Sequence, residues 1–138
     1  MKRPDIVITE FDLTRLKAIL TSFASQAGRD KEHLAGLATE LEKAVVVKPE
    51  EVPADVVTMN SKVRVRDMQS GEIKDYILVF PHQADITQDK ISILAPIGTA
   101  LLGYKTGDII ELTVPGGKRV LKVESVLYQP EASGDFHL

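Results

Sequence analysis

The sequence predicts an α+β fold, in which a short antiparallel helical hairpin precedes a domain built on an antiparallel sheet with one short helix. Three observations predict it. Apolar residues recur at helical intervals twice before residue 48, the period becomes two beyond residue 56, and one Pro-started, Gly-ended apolar turn interrupts the strands near residue 96.

Ile6-Val-Ile8 is β-prone and reads either as an edge strand or as the lead-in to the first helix. Thr9 and Asp12 have the spacing of a capping box, with Asp12 an alternative cap. Leu13, Leu16, Leu20 and Phe23 then repeat at intervals of 3, 4 and 3, which is one buried helical stripe. Ser25 to Arg29 breaks the pattern. Asp30 can cap a second helix with the stripe Leu34, Leu37, Leu41 and Val45, flanked by Ala38 and Ala44. Two narrow stripes on a short connection are expected to pack antiparallel in coiled-coil fashion.

Lys48 to Asp55 holds two prolines and three acids, so it continues neither a helix nor a central strand. The expected organisation is an N-terminal hairpin segment over 1–48, a linker over 49–55 and a second domain over 56–138. In that domain Val56 to Asp67 alternates, with Val63 and Val65 opposing Lys62, Arg64 and Arg66. Gln69-Ser-Gly71 turns the chain into Ile73 to Phe80, whose end is apolar on both faces and is expected to be central. Ile91 to Leu94 predicts a short strand. Pro96 suits a first helical turn, Ile97, Ala100 and Leu101 share a face, and Gly103 supplies a stop. Ile110, Leu112 and Val114 alternate with Glu111 and Thr113, and Pro115-Gly-Gly117 should fold the next strand back. That last strand, Lys118 to Tyr128, is expected to point Leu121, Val123 and Leu127 inward.

At 138 residues the chain holds one principal core and an appendage. Net charge is −3; residues 1–48 carry 8 Lys/Arg against 7 Asp/Glu, leaving 9 against 13 in 49–138. The larger part is therefore acidic, a poor footprint for phosphates, and direct nucleic-acid binding is not expected. The absence of cysteine excludes disulfide and thiolate chemistry, and no apolar run reaches the roughly 18 residues of a membrane span. Met1-Lys-Arg-Pro-Asp5 is not followed by the apolar segment of a signal peptide, so a cytoplasmic location is expected.

His33, His82 and His137 have no second His or Cys at ligand spacing, so neither metal nor cofactor is expected. Phosphate-binding and nucleophile-elbow motifs are absent. Lys62, Arg64 and Arg66 form either a basic stripe or a solvent-facing sheet surface balanced by Glu72 and Asp75.

The run Ala95-Pro-Ile-Gly-Thr-Ala-Leu-Leu-Gly103, Gly107-Asp108 and Pro115-Gly-Gly117 resembles the C-terminal domain of the Gre-type transcript-cleavage factors. Val56 to Val63 and the ending Tyr128 to Leu138 narrow the resemblance to a shortened branch of that family, the regulators of nucleoside diphosphate kinase. The resemblance implies an FK506-binding-protein-like domain and docking on RNA polymerase beside its secondary channel. It assigns Ala95, Pro96 and Ile97 to a Ser-Pro-Ile-type contact turn, although Pro96 equally suits helix initiation. In Gre factors two acids at the tip of a long hairpin help hold a catalytic Mg²⁺; here the tip acids are Asp30 and Glu32, and capping or dipole stabilisation explains both. The expected function is a non-catalytic regulator that binds polymerase and competes with Gre factors, with stimulation of transcript cleavage as the alternative. A prolyl isomerase lacks the aromatic pocket it would need, because Phe11 and Phe23 precede the domain and Phe136 lies in its tail.

Overall fold

The computed structural model describes residues 6–24, 38–114 and 117–135, with the side chains of 22–24, 96, 113 and 114 outside that description. Strand β1 (Val7–Thr9) leads into helix α1 (Glu10–Ala24), and residues 38–43 are helical, α2, before strand β2 (Val45–Val47). The β-prone start is thus a strand, and it pairs in parallel with β2 from Val7↔Val45 to Thr9↔Val47. Val45, expected on a helical stripe, is instead a strand residue with half of its surface exposed (51%). Main-chain pairing with β1 outweighs the helical periodicity there, since Val45 N–H donates to Ile6 O at 2.8 Å.

Of the stripe residues whose side chains are described, the leucines lie in or against the core. Leu16 and Leu41 are almost wholly buried, and Leu13, Leu20 and Ala44 pack against the core that holds them. Burying such a leucine contributes about 1.5–3 kcal/mol. Phe23, by its side chain, and Leu34 and Leu37 lie outside the described residues, as does the connection of the expected antiparallel hairpin.

The main sheet has five strands in the order β5-β4-β3-β7-β6. They are β3 (Lys62–Asp67), β4 (Ile73–Val79), β5 (Lys90–Ser92), β6 (Ile109–Val114) and β7 (Gly117–Tyr128). Both expected hairpins form: β3 and β4 close around Gly71, whose φ of 78° suits a glycine, and β6 and β7 meet at Val114↔Gly117. Helix α3 (Pro96–Leu101) follows β5 and ends at Gly103, also left-handed at φ 80°.

Three expectations change. The sheet is not wholly antiparallel, because β5 runs parallel to β4 along Ile77↔Lys90 to Val79↔Ser92. Two 3-10 turns, Pro81–Gln83 and Ile86–Gln88, carry the chain back between them. Residues 56–61 do not continue β3 upstream: Val56, Val57, Thr58 and Met59 are consecutively buried, and their main chain bonds to Tyr104, Gly103 and Asp12 rather than to a strand.

Leu127 points outward, at 42% exposure. The β3–β7 register slips between Lys62 and Val63 and again between Arg64 and Val65, so Val63 faces Val126 and Val65 faces Val123. Each slip adds one residue to β7, and a single extra residue reverses the alternation beyond it. The inward set is therefore Leu121, Val123 and Val126.

One core joins both parts of the chain: Ile6, Ile8, Leu16 and Leu41 are buried together with Val57, Met59, Leu78, Leu101 and Val123. The 49–55 segment is tied down as well. Val52 is buried, and Gln129 Nε2 donates to Pro53 O and Val56 O, both at 2.7 Å.

Candidate functional site

The Ala95–Ile97 turn forms where α3 lies very close to the end of β5. An added Cβ on Gly98 would stand 2.1 Å from Ser92 O, so no other residue allows this approach. Ala95 N–H donates to Ser92 O at 3.0 Å, Thr99 N–H to Ala95 O at 2.9 Å, and Thr99 Oγ1–H to Ile93 O at 2.7 Å. Ala95 is the N-cap in extended conformation with no side-chain cap bond, and Pro96 is the first helical residue. The structure thus brings Ala95, Pro96 and Ile97 together at one helix start. Ile97 is partly buried against the core and lines a cavity of about 180 Å³ with Val65, Tyr76 and Leu121, rimmed by Lys74 and Arg119.

Asp67, at the end of β3, organises that rim. Its carboxylate accepts Gln69 N–H at 2.9 Å, Ser70 N–H at 3.1 Å and Arg119 Nη1–H at 3.0 Å. The two main-chain donors, and then the guanidinium, hold its carboxyl below the usual range.

Asp30 and Glu32 lie outside the described residues, as do His33 and His137. His82 is exposed and stacks near Phe80, at 6.4 Å between centroids. Among the described residues no group of three metal-ligating side chains occurs, and no helix is long and apolar enough to cross a membrane.

Two of the three basic residues of β3 are paired. Arg64 holds Asp75 through two bonds at 2.9 and 3.2 Å, and Arg66 holds Glu124 at 2.7 Å. Asp75 was an expected balancing acid. Glu124 takes the place expected for Glu72, because the partner lies on β7 rather than in the hairpin.

The residues that pattern reasoning missed join α1 to the sheet domain. Thr9 Oγ1 accepts Asp12 N–H at 3.1 Å, which is half of the expected capping box. The Asp12 carboxylate does not turn back to the cap; it accepts Met59 N–H at 3.1 Å and bonds Arg15. Burial pushes its pKa up to about 6, against the lowering effects of Met59 and Arg15. Beside it, Thr58 Oγ1–H donates to Glu131 Oε1 at 2.7 Å, and Ser61 Oγ lies 2.8 Å from the same hydroxyl. The polar pattern of residues 58–61 signals a turn, and nothing local announces its partners.

Two family descriptions match the chain: "Transcription elongation factor, GreA/GreB, C-term" over residues 52–128, and "Rnk N-terminus" over residues 4–47. The chain is 40% identical over 141 aligned residues, covering both proteins fully, to the regulator of nucleoside diphosphate kinase of Escherichia coli. It is 46% identical over 77 residues to the transcription elongation factor GreA of Clostridium beijerinckii, which spans 56% of this chain and 48% of that one. Among solved structures it is similar to the transcription elongation factor GreA/GreB of Nitrosomonas europaea, with a TM-score of 0.75 and 43% identity over 89% of this chain and 99% of the other. With matches to both halves in sequence order, and full-length similarity at 40% identity, the chain belongs to the GreA/GreB-like family, in its regulator of nucleoside diphosphate kinase branch.

Proposed function

We propose that the protein is a non-catalytic transcription regulator that docks on RNA polymerase at the secondary-channel rim, covers the entrance and competes with Gre factors. The Ala95–Ile97 turn and its neighbouring cavity are the docking surface in this reading. The hairpin projects from the domain without reaching the polymerase active centre. Residues 1–48 act as the projecting arm and 56–138 as the docking domain.

The observation that carries the reading is the closure of the arm at its base. Because β1 and β2 are hydrogen-bonded, the chain between Thr9 and Val45 must go out and return within residues 10–44. Helical throughout, half of that length at 1.5 Å per residue would reach about 26 Å. By the family resemblance, a cleavage factor uses a much longer hairpin. Occupancy without reach gives exclusion of other channel-binding factors in proportion to concentration and affinity.

The test is a pull-down of core polymerase with and without added Gre factor, together with a cleavage assay on backtracked complexes. Mutually exclusive binding, with no release of short 3′ RNA fragments and suppression of Gre-dependent release, is expected. Fragment release by the protein alone would replace this reading with cleavage stimulation. Pro96→Glu should weaken the pull-down while leaving the thermal transition nearly unchanged; loss of folding would reduce Pro96 to a helix starter.

A further inference from the structure

The main sheet has two edges, β5 and β6, and the chain itself covers only the first. Along β5, Lys90 and Asp85 exchange both main-chain bonds at 3.0 Å, and Ser92 O accepts Ala95 N–H. The register of β6 on β7 decides which of its groups are left over. Val123 N–H donates to Asp108 O at 3.0 Å, and the pairing runs on through Ile110↔Leu121 and Leu112↔Arg119 to Val114↔Gly117. Bonded and non-bonded pairs alternate in an antiparallel ladder, so these even-numbered residues bond β7 and the main chains of Ile109, Glu111 and Thr113 face away from it. Among the described residues no hydrogen bond reaches those outward N–H and C=O groups.

An open edge is normally blunted by a very short strand, prolines, bulges or several charges. Strand β6 has six residues, no proline and one charge, that of Glu111 in the middle of the open row. The Glu111 side chain is exposed and joins no ion pair among the described residues. Directly opposite it on β7 stands an apolar residue, Val120, while Lys118 and Lys122 occupy diagonal positions. Ile109, on the same face, leaves 53% of its surface exposed. On the other face Ile110 and Leu112 are buried at the end of the core.

We propose that β6 takes up an extended segment of a partner protein as an added strand, with a Lys or Arg of that segment opposite Glu111 and aliphatic residues on either side of it beside Ile110 and Leu112. The open main-chain groups fix the conformation of the occupant. They recur at every second residue, about 6.8 Å apart, a spacing that an extended chain matches and a helix, bonded within itself, does not. Glu111 fixes the charge. The residue opposite it lies one strand spacing away, about 4.8 Å, whereas the β7 lysines are about twice as far and are screened by salt. Glu111 also argues against a second copy of this chain. The antiparallel register that uses the open residues of both copies sets Ile109 against Thr113 and Glu111 against Glu111, and like charges directly opposite are destabilising. The proposal goes beyond polymerase docking, since the Ala95–Ile97 turn follows β5 at the other edge of the sheet.

The test is amide hydrogen exchange of the ¹⁵N-labelled full chain with the capped peptide Thr-Val-Lys-Val-Thr, added up to millimolar concentration. Saturable slowing at Ile109, Glu111 and Thr113 is expected, with the Glu-for-Lys peptide binding about fivefold more weakly. Glu111→Lys should reverse the order of the two peptides. Glu111→Pro removes the central open donor without taking a bond from β7, and should abolish the binding of both. Equal binding of the two peptides to the unaltered protein would overturn the proposal, as would the absence of saturable slowing at these amides. A concentration-dependent dimer in sedimentation velocity, with the same amides protected in the absence of peptide, would give the edge to a second copy and overturn it too. None of these outcomes bears on the polymerase pull-down.

Discussion

The Asp12 carboxylate on α1 accepts the main-chain N–H of Met59 at 3.1 Å, across 47 residues of sequence, inside the core that joins the helical arm to the sheet domain. It satisfies a main-chain donor that the buried 56–59 segment cannot direct to a strand. A carboxylate in this position carries an energetic cost, because burial penalises its charged form.

That cost gives a pH dependence with a definite sign. Burial raises the Asp12 pKa from 3.8 to about 6, so the folded state binds this proton more tightly than the unfolded chain does. Its contribution to stability is greatest below pH 4 and is lost as pH rises through 6, a change of about 3 kcal/mol. Asp12→Asn keeps an acceptor for Met59 but removes the titration. Urea unfolding of both proteins between pH 3.5 and 7 should show the wild-type advantage shrinking by up to that amount; a constant difference would refute the assignment.

Gly103 and Gly134 share a φ of 80° but differ in surroundings. A Cβ on Gly103 would stand 2.3 Å from Ile6 Cβ, whereas Gly134 has nothing within 4 Å. Gly103→Ala should therefore cost roughly 2–4 kcal/mol, backbone strain plus overpacking. Gly134→Ala should cost only about 1 kcal/mol. Equal losses in thermal unfolding would mean that Ile6 does not press on Gly103.

The bulges in β7 make opposite predictions for two apolar residues of one strand. Val123 is fully buried and Leu127 is not. Val123→Ala should destabilise by about 2 kcal/mol, and Leu127→Ala by less than about 1 kcal/mol. A strand without bulges would make Leu127 the costlier site, which chemical denaturation distinguishes.

Ala95 caps α3 without a side-chain bond. Ala95→Ser places a hydroxyl within reach of the first free helical N–H groups, and should add about 0.5–1 kcal/mol, or about 2–6 °C in Tm. If the turn also contacts polymerase, the same change should tighten the pull-down. A higher Tm with unaltered binding would confine Ala95 to a structural role.

Much of the fold was legible because it is governed by neighbours in sequence. The runs of β3 from Lys62, of β4 and of β6, the turn at Gly71, the pairing of β6 with β7, and the Pro96-to-Gly103 helix each carry their own local signal and appear where it lies. The helix start at Pro96 was legible for the same reason, as a proline and an apolar face within a few residues, whereas a contact role for Ala95–Ile97 came only from the family resemblance. Val45 and Leu127 were misread where a local period competed with a remote partner. Pairing with β1 drew Val45 into a strand, and slips against β3 turned Leu127 outward.

The sequence by itself determined most element types, the two β-hairpins, the family and the place of the Pro96 helix start, because side-chain periodicity and backbone preference act over a few residues. The tertiary structure alone decided that β1 and β2 close the arm at its base, that β5 lies parallel to β4, that Asp12 serves Met59, and that Arg15 is clasped between Phe11 and Phe80. Those relations join groups far apart along the chain. They are settled by which buried donors and charges find partners once the core has closed.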